Sequence, residues 1–322
     1  MKVCRSLAGI PPDFGPSAVT IGNFDGVHFG HRQILGRVRA IAAEHGWKAS
    51  VLTFDPHPTR IVAPARTPPL LTSPERRALL MEEEGIAQVL ILPFTPELAL
   101  WSPEEFVQRL LVDAMGARAV LVGDNFRFGH KAAGNVQALA EMGGRLGFTT
   151  EIVPAVSCRG RVLSSSVIRQ LIRAGNVALA ARFLTHPYGI EGEVVSGRGV
   201  GSSLTVPTLN LATTAEVIPG TGVYITRTRD LAGAREWRSI TNIGYRPTFG
   251  TSDQLTIETF LLDSLAGDAP ARIRVEFLRR VRAERKFDSP ESLRAQILKD
   301  VRTARSYFRR ARAWTGRECI SC

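Results

Sequence analysis

A chain of 322 residues, 44% hydrophobic and 22% charged, has room for about two domains and the composition of an ordinary globular protein. No apolar run approaches the roughly 20 residues needed to span a bilayer. The stretch Met1–Ser6 also lacks the apolar core of a secretion signal, so the expectation is a cytoplasmic protein with no membrane partner. The net charge of +11 is concentrated late: residues 270–318 hold 15 Lys and Arg against 6 Asp and Glu. Few aromatics are interleaved there to stack bases, so this surplus reads as a solvated helix face, and nucleic acid is not an expected partner. Cys4, Cys158, Cys319 and Cys322 are too few and too scattered for a disulfide scaffold. The terminal Cys319-x-x-Cys322 has no second pair nearby and reads as tail thiols rather than a zinc site.

In chain order, the short β-branched run ending at Ile21 breaks into Gly22-Asn23-Phe24-Asp25-Gly26 and then Val27-His28-Phe29-Gly30-His31, before apolar residues recur at helical spacing. A strand, a glycine turn and a helix start together make a place to hold phosphate, because the helix N-terminus offers unpaired N–H groups and a positive dipole end. His28 and His31, three residues apart, would share a face of the first turn and could donate hydrogen bonds to phosphate oxygens. Further strands are expected at Val51–Phe54, Val89–Leu92, Ala119–Val122 and Glu151–Val153. Between them, Ser73-Pro74-Glu75 and Ser102-Pro103-Glu104-Glu105 read as capped helix starts, the second as a capping box. Strands alternating with helices predict a doubly wound parallel sheet, in which ligands bind beyond the carboxyl ends of the strands.

Three more motifs fall in this half. Phe54-Asp55-Pro56-His57-Pro58 has two prolines that fix an extended loop, read either as a substrate wall or as a plain strand ending. Gly123-Asp124-Asn125-Phe126-Arg127-Phe128-Gly129 joins an amide to two aromatics that could stack on a planar ring or simply serve as core. After Arg161, the hydroxyls of Ser164, Ser165 and Ser166 can cap a helix or bind phosphate, with Arg169 reaching back from its first turns. Past Thr185-His186-Pro187-Tyr188 the texture changes to short β-type runs with frequent turn signals, which predict a small antiparallel barrel. In the penultimate run Thr256, Glu258 and Phe260 share one face and Ile257, Thr259 and Leu261 the other. A terminal helix starting at Ser289-Pro290-Glu291 carries the stripe Leu293, Ile297, Val301 and Phe308.

The first histidine motif resembles the His-x-Gly-His signature of the nucleotidyltransferase superfamily. Together with Phe-Asp-Pro-His-Pro, Gly-Asp-Asn-Phe-x-Phe-Gly and Leu-Ser-Ser-Ser-x-Ile-Arg, in that order, it is similar to bacterial bifunctional riboflavin kinase/FMN adenylyltransferases, also called FAD synthetases. The second half resembles their kinase domain through Pro207-Thr208-Leu209-Asn210, Pro219-Gly220-x-Gly222-Val223-Tyr224, Asn242-Ile243-Gly244-x-Arg246-Pro247-Thr248-Phe249 and Arg282-x-Glu284-x-Lys286-Phe287. The chain departs from the family pattern at Ser166 (usually Thr), Thr205-Val206, the Gly197–Ser203 loop, Phe260 and Leu265-Ala266-Gly267-Asp268.

The resemblance implies a nucleotidyltransferase domain over 1–185 and a riboflavin kinase domain over 186–322. It implies ATP-dependent phosphorylation of riboflavin to FMN, then adenylylation of FMN to FAD and pyrophosphate. ATP would be bound by Gly22, Asn23, Phe24, Asp25, Gly26, His28, His31, Ser164, Ser165, Ser166 and Arg169; His28, His31 and Arg169 would be catalytic there. The flavin would meet Phe54, Pro56, Pro58, Asn125, Phe128, Arg161, Arg282 and Glu284. Mg²⁺ would be held by Thr208 and Asn210, with Glu258 as the kinase base. Three alternatives stay open: another phosphate acceptor, such as nicotinamide mononucleotide, for the first domain; an adenylyltransferase whose kinase half is weakened or inactive; and a flavin- or RNA-binding non-enzyme. The sequence is silent on oligomeric state and leaves a weak homo-oligomer open.

Overall fold

The strand runs expected in the first half all form, and they assemble into one sheet. The computed structural model describes residues 1–158, 161–195, 208–233, 235–248, 251–265 and 267–313. Its first unit, Met1–Ser165, contains β1 (Lys2–Cys4), β2 (Ser17–Ile21), β3 (Lys48–Phe54), β4 (Gln88–Leu92), β5 (Ala117–Gly123) and β6 (Thr149–Val153). They pair in parallel in the order β1-β4-β3-β2-β5-β6. Side-chain alternation divides the sheet into two buried faces. Val19, Ile21, Leu52, Leu90 and Val120 enter one core with Phe106, Leu110 and Leu139, while Ala18, Val51, Val89 and Leu121 enter another with Leu35, Val38 and Leu80.

The helices of this unit are α1 (Phe29–His45), α2 (Thr59–Val62), α3 (Pro74–Glu83), α4 (Pro96–Ala99), α5 (Pro103–Phe106) and α6 (Val136–Leu146), with a π-helical stretch, Val107–Ala114, continuing α5. The expected caps are present: Ser73 accepts from Arg76 N–H, and Ser102 and Glu105 complete a reciprocal capping box. From β2 the chain goes to β3 and β4 on one side, then crosses to β5 and β6 on the other. The order therefore reverses between β2 and β5, and a crevice at their carboxyl ends is the natural ligand position. Ser157–Cys158 (β7) and Arg161–Val162 (β8), which sequence periodicity does not announce, form a short antiparallel ladder.

The second unit, Ser166–Cys322, takes in nearly all of α7 (Ser165–Arg173) and the whole of α8 (Val177–Leu184). The compact units thus divide earlier than residue 185, because α8 packs on two strands of the barrel that follows. That barrel is closed and antiparallel in the order β10-β13-β12-β11-β14-β9, from β9 (Tyr188–Val195), β10 (Thr208–Ala212), β11 (Gly222–Asp230), β12 (Glu236–Thr248), β13 (Thr251–Leu261) and β14 (Arg272–Arg282). Ile257, Thr259 and Leu261 are buried while Glu258 and Phe260 are half-buried on the opposite face, the alternation expected for this run. Five fully buried hydroxyl residues fill part of the buried face. Thr226 Oγ1 lies 2.8 Å from both Ser239 Oγ and Thr241 Oγ1, Thr228 Oγ1 lies 2.8 Å from Ser239 Oγ, and Thr241 reaches Thr259 at 3.0 Å. Each hydroxyl has a partner, so their burial does not carry the cost of lost hydration. The other face is covered by α9 (Pro290–Ala313), where Val223, Ile225, Ile240 and Ala304 are buried with Val301 and Phe308 packed against them.

Candidate functional sites

The turn after β2 is held in a conformation that L-residues disfavour. Phe24 and Val27 have φ of 48° and 40°, and Gly26 lies between them at 81°. A positive φ at a β-branched residue costs on the order of 1–3 kcal/mol, so surrounding contacts must fix it. They do so from three sides. The Asp25 carboxylate, 2% exposed, accepts from Leu71 N–H and Thr72 N–H at 3.0 Å and from Thr72 Oγ1 at 3.1 Å. Ser165 Oγ donates to the Asp25 carbonyl at 2.9 Å. Arg77, 3% exposed on α3, donates through Nη1 to the Asn23 carbonyl at 2.7 Å and to Thr53 Oγ1 at 3.2 Å.

The turn delivers His28 as the N-cap of α1, with its Nδ1 accepting from His31 N–H at 3.3 Å. That bond leaves the proton of neutral His28 on Nε2, a tautomer inferred from the hydrogen bond. The His28 and His31 rings stack at 3.6 Å and 15°, so the expected shared face is present, and Phe24 meets His31 edge-on at 5.0 Å. Burial, then the neighbouring His28, then the Arg77 charge hold His31 well below the ordinary imidazole range. A Cβ on Gly30 would stand 3.3 Å from the His28 ring, so glycine there leaves room for the imidazole. The result is two ring N–H donors beside a helix N-terminus, suited to an anionic ligand.

The other expected residues of this half divide between surface and core. Asn23 reaches His57 through its side chain (Nδ2 to Nε2, 2.9 Å), so the second motif meets the first. Pro56 is half-buried at the end of β3 and Pro58 precedes α2. Asn125 is exposed just beyond β5. Phe54 and Phe128, read as candidate flavin contacts, are 7% and 5% exposed and belong to the sheet core. Phe54 meets Phe94 at 5.4 Å, and Phe128 packs on Phe126 and Phe106 at 5.4 Å. Each ring is already surrounded by others. Arg169 is buried on α7, in the second unit; Ser164 is half-buried and Ser166 exposed. Sequence reading missed Arg77 and the Leu71-Thr72 backbone. Arg77 resembles any helical cation in the sequence, and backbone donors carry no sequence signal.

In the second unit, strand register aligns the expected kinase residues. Asn210 pairs with Glu258, Glu258 with Asn242, Asn242 with Val223 and Val223 with Arg282, so one row crosses five strand segments on one face. Thr208, two residues before Asn210, shares its face and pairs with Phe260. This face and α9 enclose a cavity of about 490 Å³ lined by Asn242, Glu258, Phe260, Arg282, Glu284 and Phe287, among others. Arg282 Nε donates to buried Asp300 on α9 at 2.9 Å, and Asp300 also accepts from Gln296 at 2.7 Å. Phe287 lies beneath both Arg282 (5.6 Å) and Arg285 (4.8 Å). A Cβ on Gly244 would stand 2.1 Å from Glu284 Oε1, so the carboxylate rests directly on the glycine backbone. Asn242, within one of the motifs but not among the expected ligands, is the site residue that the row adds. The Arg161 side chain, Gly197–Ser203, Thr205-Val206, Pro207, Phe249, Ala266, Cys319 and Cys322 lie outside the described residues.

Comparison with known proteins matches this two-part architecture. A family model described as FAD synthetase covers residues 11–167, and one described as riboflavin kinase covers residues 184–308. The bifunctional riboflavin kinase/FMN adenylyltransferase of Pseudomonas fluorescens is 37% identical over 95% of this chain and 97% of its own length. The protein of the same description from Escherichia coli strain K12 is 35% identical over 96% of this chain and 98% of its own. Among solved structures, a Streptococcus pneumoniae chain described as a macrolide-efflux protein superposes with a TM-score of 0.82 at 25% identity, covering 94% of this chain and 98% of that one. No described helix is long and apolar enough to cross a membrane. The chain belongs to the bifunctional riboflavin kinase/FMN adenylyltransferase family, enzymes named for two activities.

Proposed function

We propose that the two units of this chain carry out successive steps: the barrel transfers the γ-phosphoryl group of ATP to riboflavin, and the parallel-sheet unit joins the resulting FMN to the adenylyl group of a second ATP. The observation that carries the kinase assignment is the row Asn210–Glu258–Asn242, of which Glu258 and Asn242 line the α9 cavity. Glu258 takes the proton of the riboflavin hydroxyl as its oxygen attacks the γ-phosphorus and ADP leaves. Arg282 and Glu284 line the flavin side of the cavity. Thr208 and Asn210 offer neutral oxygens on the same face as the Glu258 carboxylate, a donor set that suits Mg²⁺, a hard cation that keeps several waters and shares phosphate oxygens. Bound there, Mg²⁺ would neutralise charge on the transferring phosphates.

In the other unit the FMN phosphate attacks the α-phosphorus of ATP and pyrophosphate departs. No covalent enzyme intermediate is needed, because the phosphate is already an anionic nucleophile. His28 and His31 donate hydrogen bonds to oxygens that gain charge, backed by the turn 22–26; the family resemblance adds Ser164, Ser165, Ser166 and Arg169 as ATP-binding residues. Asn125, Pro56, Pro58 and Arg161 form the flavin side, with Phe54 and Phe128 behind it. Residues 1–185 and 186–322 are the functional halves, working in the cytoplasm, where ATP and flavins meet. The test is chromatographic separation of flavins after incubation with ATP and Mg²⁺, starting from riboflavin and separately from FMN. Glu258→Ala should abolish FMN formation and leave FMN-to-FAD conversion; His28→Ala should do the reverse. FAD absent from both starts with the unaltered chain would overturn the reading.

A further inference from the structure

Behind the histidine turn sits a charge that direct ligand binding does not explain. Arg77 is 3% exposed, its Nη1 is committed to the Asn23 carbonyl and Thr53 Oγ1, and its Nε has no hydrogen-bond partner among the described residues. Burying a guanidinium is costly unless compensated. Asp25, Asp55 and Glu75 supply opposite charge nearby, yet Asp25 already accepts from Leu71 and Thr72, and Glu75 pairs with Arg5 at 2.9 Å. The net effect on Arg77 is a guanidinium pushed below its ordinary range, with burial the largest cause. A group kept at such a cost ought to be doing something for the element it touches. That element is the turn whose strained residues, Phe24 and Val27, flank Asp25 and lead into His28.

We propose that Arg77 is a positioning residue for adenylyl transfer, gripping the Asn23 carbonyl from behind and so setting the turn that presents His28 and His31. The proposal rests on the reading of that turn as the ATP site. Two consequences follow from one side chain. The Asn23 carbonyl fixes where the left-handed residues begin, so losing the grip lets the turn relax and moves the two imidazoles. The charge also reaches His31, whose ring neighbours are the stacked His28 and the edge of Phe24; burial and then His28 hold that imidazole down, and Arg77 adds to them. A cation there opposes protonation of His31.

The test uses the full chain with Arg77→Met and Arg77→Lys, following FMN-to-FAD conversion, riboflavin phosphorylation and the imidazole proton resonances of His31 as a function of pH. Arg77→Met should lower kcat for adenylyl transfer by roughly 100-fold, the scale of a small misplacement of reacting groups. It should leave riboflavin phosphorylation within about twofold, and move the His31 titration to higher pH. Arg77→Lys should restore the His31 titration but not the full kcat, because an ammonium lacks the guanidinium fork. An unchanged His31 titration in Arg77→Met, or loss of both activities in proportion to a lower melting temperature, would assign Arg77 a merely structural role. His28→Ala serves as reference: if it abolishes adenylyl transfer while Arg77→Met does not, the positioning role is wrong and the site stands; if His28→Ala leaves transfer intact, both fall.

Discussion

Asn210 and Glu258 face each other directly across the β10–β13 ladder, and Asn242 continues the row on β12. Directly opposed residues have Cβ atoms about 4.5–5.5 Å apart, so an amide, a carboxylate and a second amide converge without any loop having to order. Asn210→Ala removes one neutral oxygen from the proposed metal position and leaves Glu258 in place. The Mg²⁺ concentration giving half-maximal riboflavin phosphorylation should rise at least tenfold, about 1.4 kcal/mol. The Mg²⁺ dependence of FMN-to-FAD conversion should not move. Metal titration of the two half-reactions separately checks this; equal shifts in both would point to a general loss of stability.

Phe128 offers a contrasting case. It alternates with polar neighbours in Asn125-Phe126-Arg127-Phe128, a pattern equally suited to a stacking platform and to core. Its ring is 5% exposed, and a Cβ on Gly134 would stand 2.7 Å from it, so the glycine exists to let the chain pass over the aromatic face. Phe128→Ala should therefore cost about 3–5 kcal/mol of stability in the first unit. At a temperature where the variant remains folded, KM for FMN should stay within about threefold. Denaturant unfolding and steady-state kinetics on the same preparation separate the two effects.

What the sequence made legible follows from this contrast. Period and caps fix local structure, and so the strands, the Ser73 and Ser102 helix starts and the two faces around Glu258 were readable from residue order alone. The His28–His31 stack was readable too, since three-residue spacing on a helix dictates a shared face. Arg77 was not, because its importance comes from burial under a turn some fifty residues earlier in the chain. Nor was the Thr226, Ser239, Thr241, Thr259 and Thr228 hydroxyl cluster, where polar residues sit on the buried face because barrel closure gives each a partner on the next strand. The division at Ser165 was hidden for the same reason: α8 carries no mark of which sheet it will cover.

The β9–β10 seam of the barrel contains a crowded crossing. A Cβ on Gly192 would stand 2.0 Å from the Ala212 carbonyl oxygen, an atom of the β10 backbone that cannot rotate away. Beside it Glu193 pairs with Ala212 on one side and Arg272 on the other. Gly192→Ala should thus open the β9–β10 seam and destabilise the second unit by about 3 kcal/mol or more, beyond the ordinary range for overpacking because backbone must move. Riboflavin phosphorylation should show a lowered thermal midpoint while FMN-to-FAD conversion keeps its own. Thermal inactivation of each activity, measured side by side, reads this out.

The second unit also carries a charge network whose pH response can be stated in sign. Glu276, 4% exposed, accepts from Arg227 Nε at 2.8 Å and from Arg274 Nε at 3.3 Å, and Arg229 lies 3.7 Å away. Burial alone would raise its pKa, but Arg227, Arg274 and Arg229 together outweigh that and hold the carboxyl below its ordinary value. A carboxyl depressed on folding contributes stability above its unfolded pKa and loses that contribution as pH falls through the folded value. The barrel should therefore weaken on acidification from about pH 4.5 downward, with no corresponding change between pH 6 and 8. Glu276→Gln keeps the shape and removes the charge, leaving buried Arg274 with Glu191 alone at 2.8 Å. The variant should be about 3 kcal/mol less stable at pH 7, the scale for breaking a buried pair, and its stability should be flatter than that of the unaltered chain below pH 4.5. Urea midpoints for the two proteins across pH 3 to 8 provide the measurement; parallel curves at the acid end would show that Glu276 does not set the acid response.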